Sequence, residues 1–330
     1  KALGLDFDKY YYESDTYLLG KHLVEEGLQK GILFKKENGS VWIDLTEDGL
    51  DEKLLLRADG TSVYMTQDMG TAQLKYNDYH TQKSIYVIAD EQNYHMQVLR
   101  LIMQKLGEPC ADGIYHLSYG MVELPSGRMK SREGTVVDAD DMIAEMISLA
   151  KAQTESAGKT EGFTDEELEA LYKTIGLGAL KFYLLRVEPR KKMIFNPAES
   201  IDLHGFTATF IQYAHARICS ILKKNEGWED RITALDISNQ PLATLEKAIL
   251  LHLEQYPQIV AQAADEYNPS VLCNYAFKLA QSFNSFFDKH SIIRAENDNI
   301  KTVRLLLASM TASILKRTMG MLGIQVPERM

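Results

Sequence analysis

The sequence predicts an α/β layer followed by an all-α bundle. Two observations carry that reading. Short apolar, β-branched runs alternate with amphipathic helical patterns through the first third of the 330-residue chain, and such runs stop beyond about residue 138. From about residue 200 onward the apolar residues recur at helical spacing, with polar breaks only near 225–240 and 291–297.

Taken in order, residues 8–30 read as a helix with Tyr17, Leu18, Leu23 and Val24 as its apolar stripe, and with Gly27 and Gly31 at its end. Short strand patterns follow at 41-VWIDL-45 and 54-LLLR-57, then a helix after Thr66 through residue 77. The run 84-SIYVIA-89 is apolar and β-branched between polar flanks, the pattern of a buried parallel strand. Residues 91–107 form an amphipathic helix ended by Gly107, and 115-YHLSYGMV-122 is the next strand. Asp138 or Asp140 caps a helix through Ala150, and 153–163 is polar and glycine-bearing, hence loop. Thr164 with Glu167 three residues on is a capping box. The bundle then comprises helices over 200–224, 243–254, 257–266, 269–289 and 298–319.

A composition of 45% apolar and 25% charged residues excludes disorder as the main state. The three cysteines, Cys110, Cys219 and Cys273, are too far apart for a C-x-x-C redox or zinc pattern. They fit a reduced, cytoplasmic setting. No run of about 18 apolar residues occurs, so no membrane span is expected. The net charge of −10 argues against a general nucleic-acid binder, yet 186-RVEPRKK-192, residues 205–224 and residues 301–330 are locally basic. Local potential is what attracts phosphate, because charges beyond about 10 Å are screened. Solvated helix faces would account for the same islands.

Three segments carry chemistry. In 120-GMVELPSGRMKSREGTVV-137 a Gly/Pro/Ser-containing loop delivers Arg128, Lys130 and Arg132 after a strand, where cationic side chains suit polyphosphate. A surface basic turn is the bland reading. In 57-RADGTSVYMTQD-68, Tyr64 and Asp68 stand four apart near a helix start; Asp68 is either a helix-dipole partner or a receptor for a cation such as guanidinium. In 88-IADEQNYH-95, Gln92 and His95 follow a strand end, where α/β sheets bind ligands, though a structural histidine would look the same.

Together these segments resemble the class I arginyl-tRNA synthetases. RMKSREGTVV is similar to that family's version of the KMSKS loop, RADGTSVYMTQD to its amino-acid-binding segment, and YVIADEQNYHMQVLRLIMQKLG to the adjoining nucleotide-side segment. In the helical part, GFTATFIQYAHARICSIL resembles the anticodon-binding helix, and LGIQVPERM the family's C-terminus. The resemblance implies an incomplete Rossmann-type class I catalytic domain over 1–137, a helical connecting region over 138–195 and an anticodon-binding bundle over 196–330. It implies that Tyr64, Asp68 and Gln92 hold arginine, that His95 lies on the ATP side, and that Met129, Lys130, Ser131 and Arg132 close over the triphosphate. Lys130 stands where many relatives have Ser, and Arg132 where the pattern often has a second Lys. Phe210, Tyr213 and Met330 would meet the anticodon, with Phe210 or Tyr213 as plain packing residues the alternative. Lys223, Lys224 and the basic C-terminal residues would contact phosphate. The implied partners are L-arginine, ATP with Mg²⁺ and tRNA(Arg), with no zinc and no membrane, in a monomeric cytoplasmic enzyme.

The family's HIGH motif needs two histidines three apart, and none of the eight histidines is so spaced. The expectation is therefore a C-terminal portion of such an enzyme, with little or no aminoacylation on its own. Two rivals remain. A non-catalytic tRNA-binding module would lack the Tyr64/Asp68/Gln92 set. A cysteinyl-type synthetase would want zinc-ligating cysteines.

Overall fold

A computed structural model describes residues 2–16, 18–125, 138–158, 160–235 and 241–330. The chain divides into two compact units, Lys1–Met121 and Val122–Met330.

In the first unit, α1 (Glu13–Thr16) and α2 (Lys21–Gln29) replace the single helix predicted over 8–30. The break has a steric cause. A Cβ on Gly20 would lie 1.9 Å from the carbonyl oxygen of Thr66, so the chain passes α3 (Tyr64–Tyr79) with backbones touching. Leu23 and Val24 are buried as expected, whereas Leu18 is exposed and Tyr17 lies outside the described residues. Between α2 and α3, β1 (Phe34–Lys35), β2 (Val41–Ile43) and β3 (Lys53–Leu56) form an antiparallel sheet. Next, β4 (Ser84–Ala89), α4 (Asn93–Leu106) and β5 (Ile114–Tyr119) make a βαβ unit with the strands paired in parallel from Ser84↔Ile114 to Ala89↔Tyr119. One core gathers Leu23, Val24, Ile43, Leu55, Met69, Leu99 and Ile102.

The strand predicted over 115–122 ends at Tyr119. Its last residues form β6 (Val122–Glu123), which pairs in parallel with β7 (Met193–Ile194) in the second unit. Strands therefore do not stop at residue 138; a two-residue strand is too short to show a period. Helix α5 (Ala139–Ser156) is capped by Asp138, whose carboxylate accepts from the Asp140 amide at 3.0 Å. It runs six residues past Ala150 into the predicted loop. Helix α6 (Asp165–Leu185) opens on the Thr164–Glu167 capping box. After α7 (Pro197–Ser200), Thr207 caps α8 (Ala208–Lys223), so the helix predicted from 200 starts eight residues later.

Helix α9 (Thr244–Asp265) continues through Pro257, where the sequence pattern suggested two helices. A mid-helix proline costs roughly 3 kcal/mol. Ile249 and Leu253 before it and Ala263 after it are buried on one face, and that burial offsets the lost hydrogen bond. Helices α10 (Pro269–Lys289) and α11 (Asp298–Met321) complete the bundle. Its core includes Phe182, Ile211, Ile218, Ile249, Phe283 and Leu315.

Candidate functional site

In the first unit the fold brings two of the sequence-selected residues into direct contact. Asp68 lies one turn into α3, and His95 lies in the first turn of α4; His95 Nε2 is 2.6 Å from Asp68 Oδ2. Tyr64 opens α3 one turn before Asp68 and is 74% exposed. Gln92 closes a 3₁₀ turn, Asp90–Gln92, at the carboxyl end of parallel strand β4 and precedes α4. The strand-end position expected for Gln92 and His95 is therefore realised. The Asp68 carboxylate is about half exposed at 48%, and its Oδ1 makes no hydrogen bond among the described residues. An anionic oxygen with solvent access suits a guanidinium ligand.

Two residues that sequence reasoning passed over stand behind this carboxylate. Lys75 Nζ lies 4.4 Å from the centre of the Tyr86 ring. Burial holds Lys75 below the usual lysine range, with the charge of Asp68 opposing the shift. The Tyr86 hydroxyl is buried, and burial pushes its pKa up to about 12, with Ser84 opposing the shift. Lys75 thus interacts electrostatically with Asp68 from within the fold. The signal available in the sequence was the spacing of Lys75, two helical turns from Asp68.

Met129, Lys130, Ser131 and Arg132 lie outside the described residues.

In the second unit, the QYAHAR segment of α8 shows why it has that composition. Gln212 is fully buried and donates from Nε2 to the carbonyls of Gln325 at 2.8 Å and Thr174 at 3.2 Å. His215, three residues on, has Nδ1 at 2.9 Å from the Pro327 carbonyl, so Nδ1 carries the proton, because a carbonyl only accepts. Lys181 adds a bond to the Gly323 carbonyl at 2.7 Å. Room for Gln212 comes from Gly178 on α6, where a Cβ would sit 2.6 Å from the Gln212 amide nitrogen. These bonds pin the C-terminal tail along α8 and deliver Met330 into a small cavity of about 30 Å³, shared with Tyr213, Leu203 and Thr154. Tyr213 and Met330 are thus brought together. Phe210 is not in that cavity. It packs against the core, its ring 4.9 Å from that of Phe277. The Arg217 guanidinium lies 4.9 Å from the Tyr213 ring centre and donates to Asn284 at 2.8 Å. Gln212 and His215 stand in the sequence motif with no role that the sequence reveals, because their partners are backbone carbonyls 113 and 112 residues away.

Among the described residues no group of three or more His, Cys, Asp or Glu side chains is arranged to hold a metal ion, and no helix is long and apolar enough to cross a membrane.

A parallel βαβ layer with polar strand-end residues, followed by a helical bundle, is the architecture of a class I aminoacyl-tRNA synthetase, and comparison supports that class. Residues 20–196 match the class I (R) tRNA synthetase catalytic domain, and residues 211–330 match the DALR anticodon binding domain. The chain belongs to the class I arginyl-tRNA synthetase family. It is 51% identical over 330 residues to the arginine–tRNA ligase of Phocaeicola vulgatus, covering 100% of this chain and 54% of that protein. It is 53% identical over 332 residues to the ligase of Parabacteroides distasonis, covering 100% and 55%. The chain thus spans about half the length of these relatives. The Thermus thermophilus arginyl-tRNA synthetase structure superposes with a TM-score of 0.88 at 26% identity, over 100% of this chain and 61% of that one. Mycobacterium tuberculosis methionyl-tRNA synthetase shares the fold, with a TM-score of 0.67 at 12% identity over 96% of this chain and 75% of that one.

Proposed function

We propose that this chain forms part of an arginine–tRNA ligase. Arginine would attack the α-phosphate of ATP through its carboxylate, forming the arginyl-adenylate and releasing pyrophosphate. A terminal ribose hydroxyl of tRNA(Arg) would then take the arginyl group and release AMP. The chemistry needs positioning and stabilisation of phosphoryl charge rather than a covalent enzyme intermediate. Mg²⁺ accompanies ATP as part of the substrate. On this reading Tyr64, Asp68 and Gln92 receive the arginine side chain, and His95 orients Asp68 while facing the nucleotide. Met129, Lys130, Ser131 and Arg132 close over the triphosphate. Phe210, Tyr213 and Met330 meet the anticodon, and the three-part division at residues 138 and 196 follows those roles. A monomer in the cytoplasm is the setting proposed.

The observation that carries the reading is the half-exposed Asp68 carboxylate, anchored through one oxygen by His95 and with Tyr64 one turn before it. A charge-assisted guanidinium–carboxylate contact is worth about 1.5–3 kcal/mol, or roughly tenfold to a hundredfold in affinity. Asp68→Asn in the full-length enzyme is therefore expected to raise the KM for arginine by about that factor while leaving the KM for ATP nearly unchanged. Unaltered arginine kinetics would refute the pocket.

A further inference from the structure

The contact between Asp68 and His95 has two protonation states, and they differ in what they leave for a ligand. A carboxylate oxygen only accepts, so the proton between His95 Nε2 and Asp68 Oδ2, 2.6 Å apart, sits on Nε2 whenever Asp68 is ionised. His95 Nδ1 has no hydrogen-bond partner among the described residues, so no neighbour decides whether it too is protonated. The side chain is 28% exposed, and water can deliver or remove that second proton. With Nδ1 bare, a neutral imidazole holds Oδ2 and leaves Asp68 its full charge, with Oδ1 open. With Nδ1 protonated, an imidazolium cancels the carboxylate charge, and an incoming guanidinium meets a like charge across the same group.

The surroundings sharpen the difference. Lys75 on α3 interacts electrostatically with Asp68, and Tyr86 on β4 feels the same carboxylate. Tyr86 is uncharged at neutral pH, since burial pushes it up to about 12. Asp90 and the exposed Glu91 stand in the 3₁₀ turn ahead of His95. Tyr94, beside His95 in the chain, is engaged by Asp51 at 2.9 Å. With Lys75 already acting on Asp68, an imidazolium and a guanidinium together would set three cations on one carboxylate. Histidine is the side chain that changes charge between about pH 5 and 8, so His95 is the member of this set that can give up its proton there.

We infer that arginine displaces a proton from His95: the imidazolium is an internal cation that competes with the substrate guanidinium for Asp68, and the neutral imidazole is the positioning form that presents Oδ1. The inference rests on the reading of Tyr64, Asp68 and Gln92 as the arginine pocket. In the step, the Nδ1–H bond breaks, its electron pair stays on Nδ1, and the proton passes to solvent as the guanidinium docks on Oδ1. By linkage, arginine binds more tightly as pH rises through the titration of His95 and then levels off. A charge within about 4–6 Å of a titrating group changes its proton affinity by a factor of about ten or more, and the same factor separates the affinities of arginine for the two states.

The test is the pH profile of kcat/KM for arginine in the full-length enzyme between about pH 5.5 and 8, where histidine changes charge. Alongside it, arginine is titrated by calorimetry in two buffers of different ionisation enthalpy, which counts the protons released. KM for arginine is expected to be about tenfold higher at the acid end, with KM for ATP changing much less, and release should approach one proton per arginine at acid pH. His95→Ala should raise KM for arginine at every pH and flatten the profile. His95→Gln, whose amide can still donate to Oδ2, should recover part of the affinity and keep the profile flat.

A pH-dependent rise that persists in His95→Gln would place the proton elsewhere and overturn the inference. Arginine binding without proton release in the unchanged enzyme would do the same, and that count asks nothing of a variant's folding. Equal KM values in His95→Ala and the unchanged enzyme would remove the positioning role. None of these outcomes touches the pocket itself, which fails only if Asp68→Asn leaves arginine kinetics unaltered.

Discussion

His215 has almost no solvent contact and is held against the C-terminal tail by its bond to the Pro327 carbonyl. Burial keeps its pKa below the ordinary histidine value. Below an unfolded-state pKa of about 6.5, the unfolded chain binds a proton that the folded chain resists. The stability that depends on this group is therefore complete above that pH and is lost as pH falls. Thermal unfolding followed between pH 7.5 and 5 should show a smaller loss of Tm in His215→Asn than in the unchanged chain; equal losses would contradict a buried neutral imidazole. Gln212 offers a second residue-scale test. Gln212→Ala leaves the Gln325 carbonyl without its partner, a loss of about 1–3 kcal/mol. Faster amide exchange over residues 322–330 should accompany it, whereas unchanged exchange would mean that other contacts hold the tail.

At the scale of elements, the bundle is cross-tied by a buried ion pair. Arg304 on α11 donates from Nε to Glu246 on α9 at 2.7 Å, and both side chains are about 5% exposed. Arg304 also donates to the Ser291 carbonyl at 2.8 Å and lies 3.2 Å from Glu296, so it fastens the 290–297 connection. Removing one partner strands a buried charge. Arg304→Met should cost about 3–5 kcal/mol of unfolding free energy by denaturant titration, and E246Q/R304M should recover part of it. A double variant no better than the single one would locate the cost in lost packing instead.

The elements legible in the sequence are those whose signals are local. The Thr164–Glu167 capping box, the β4 run and the amphipathic α4 all lie within a few residues of their own cues. What escaped depended on distant partners. The break before α2 is imposed by the backbone at Thr66, β7 exists because β6 reaches it, and α9 passes through Pro257 because the bundle buries both sides of it. The site divides in the same way. Asp68 and His95 were each legible from chain position, but their pairing spans 27 residues and follows only from packing α4 beside α3.

At the scale of the whole molecule, a chain with net charge −10 carries a locally basic helix, α8, which holds Arg217 and Lys223 and no acidic residue. Acidity elsewhere repels nucleic acid in general, so binding should be selective and steeply weakened by salt. The most direct measurement is the affinity of this chain for arginine-accepting tRNA, set against the same tRNA with its central anticodon base changed. Hydrogen bonding to a base edge discriminates against the wrong base by roughly 1–3 kcal/mol, so a preference of about tenfold or more for the unaltered tRNA is expected, while Tyr213→Ala, which removes a stacking ring, should weaken binding of both RNAs. Equal affinity for both RNAs at every salt concentration would contradict the bundle's assignment as an anticodon reader.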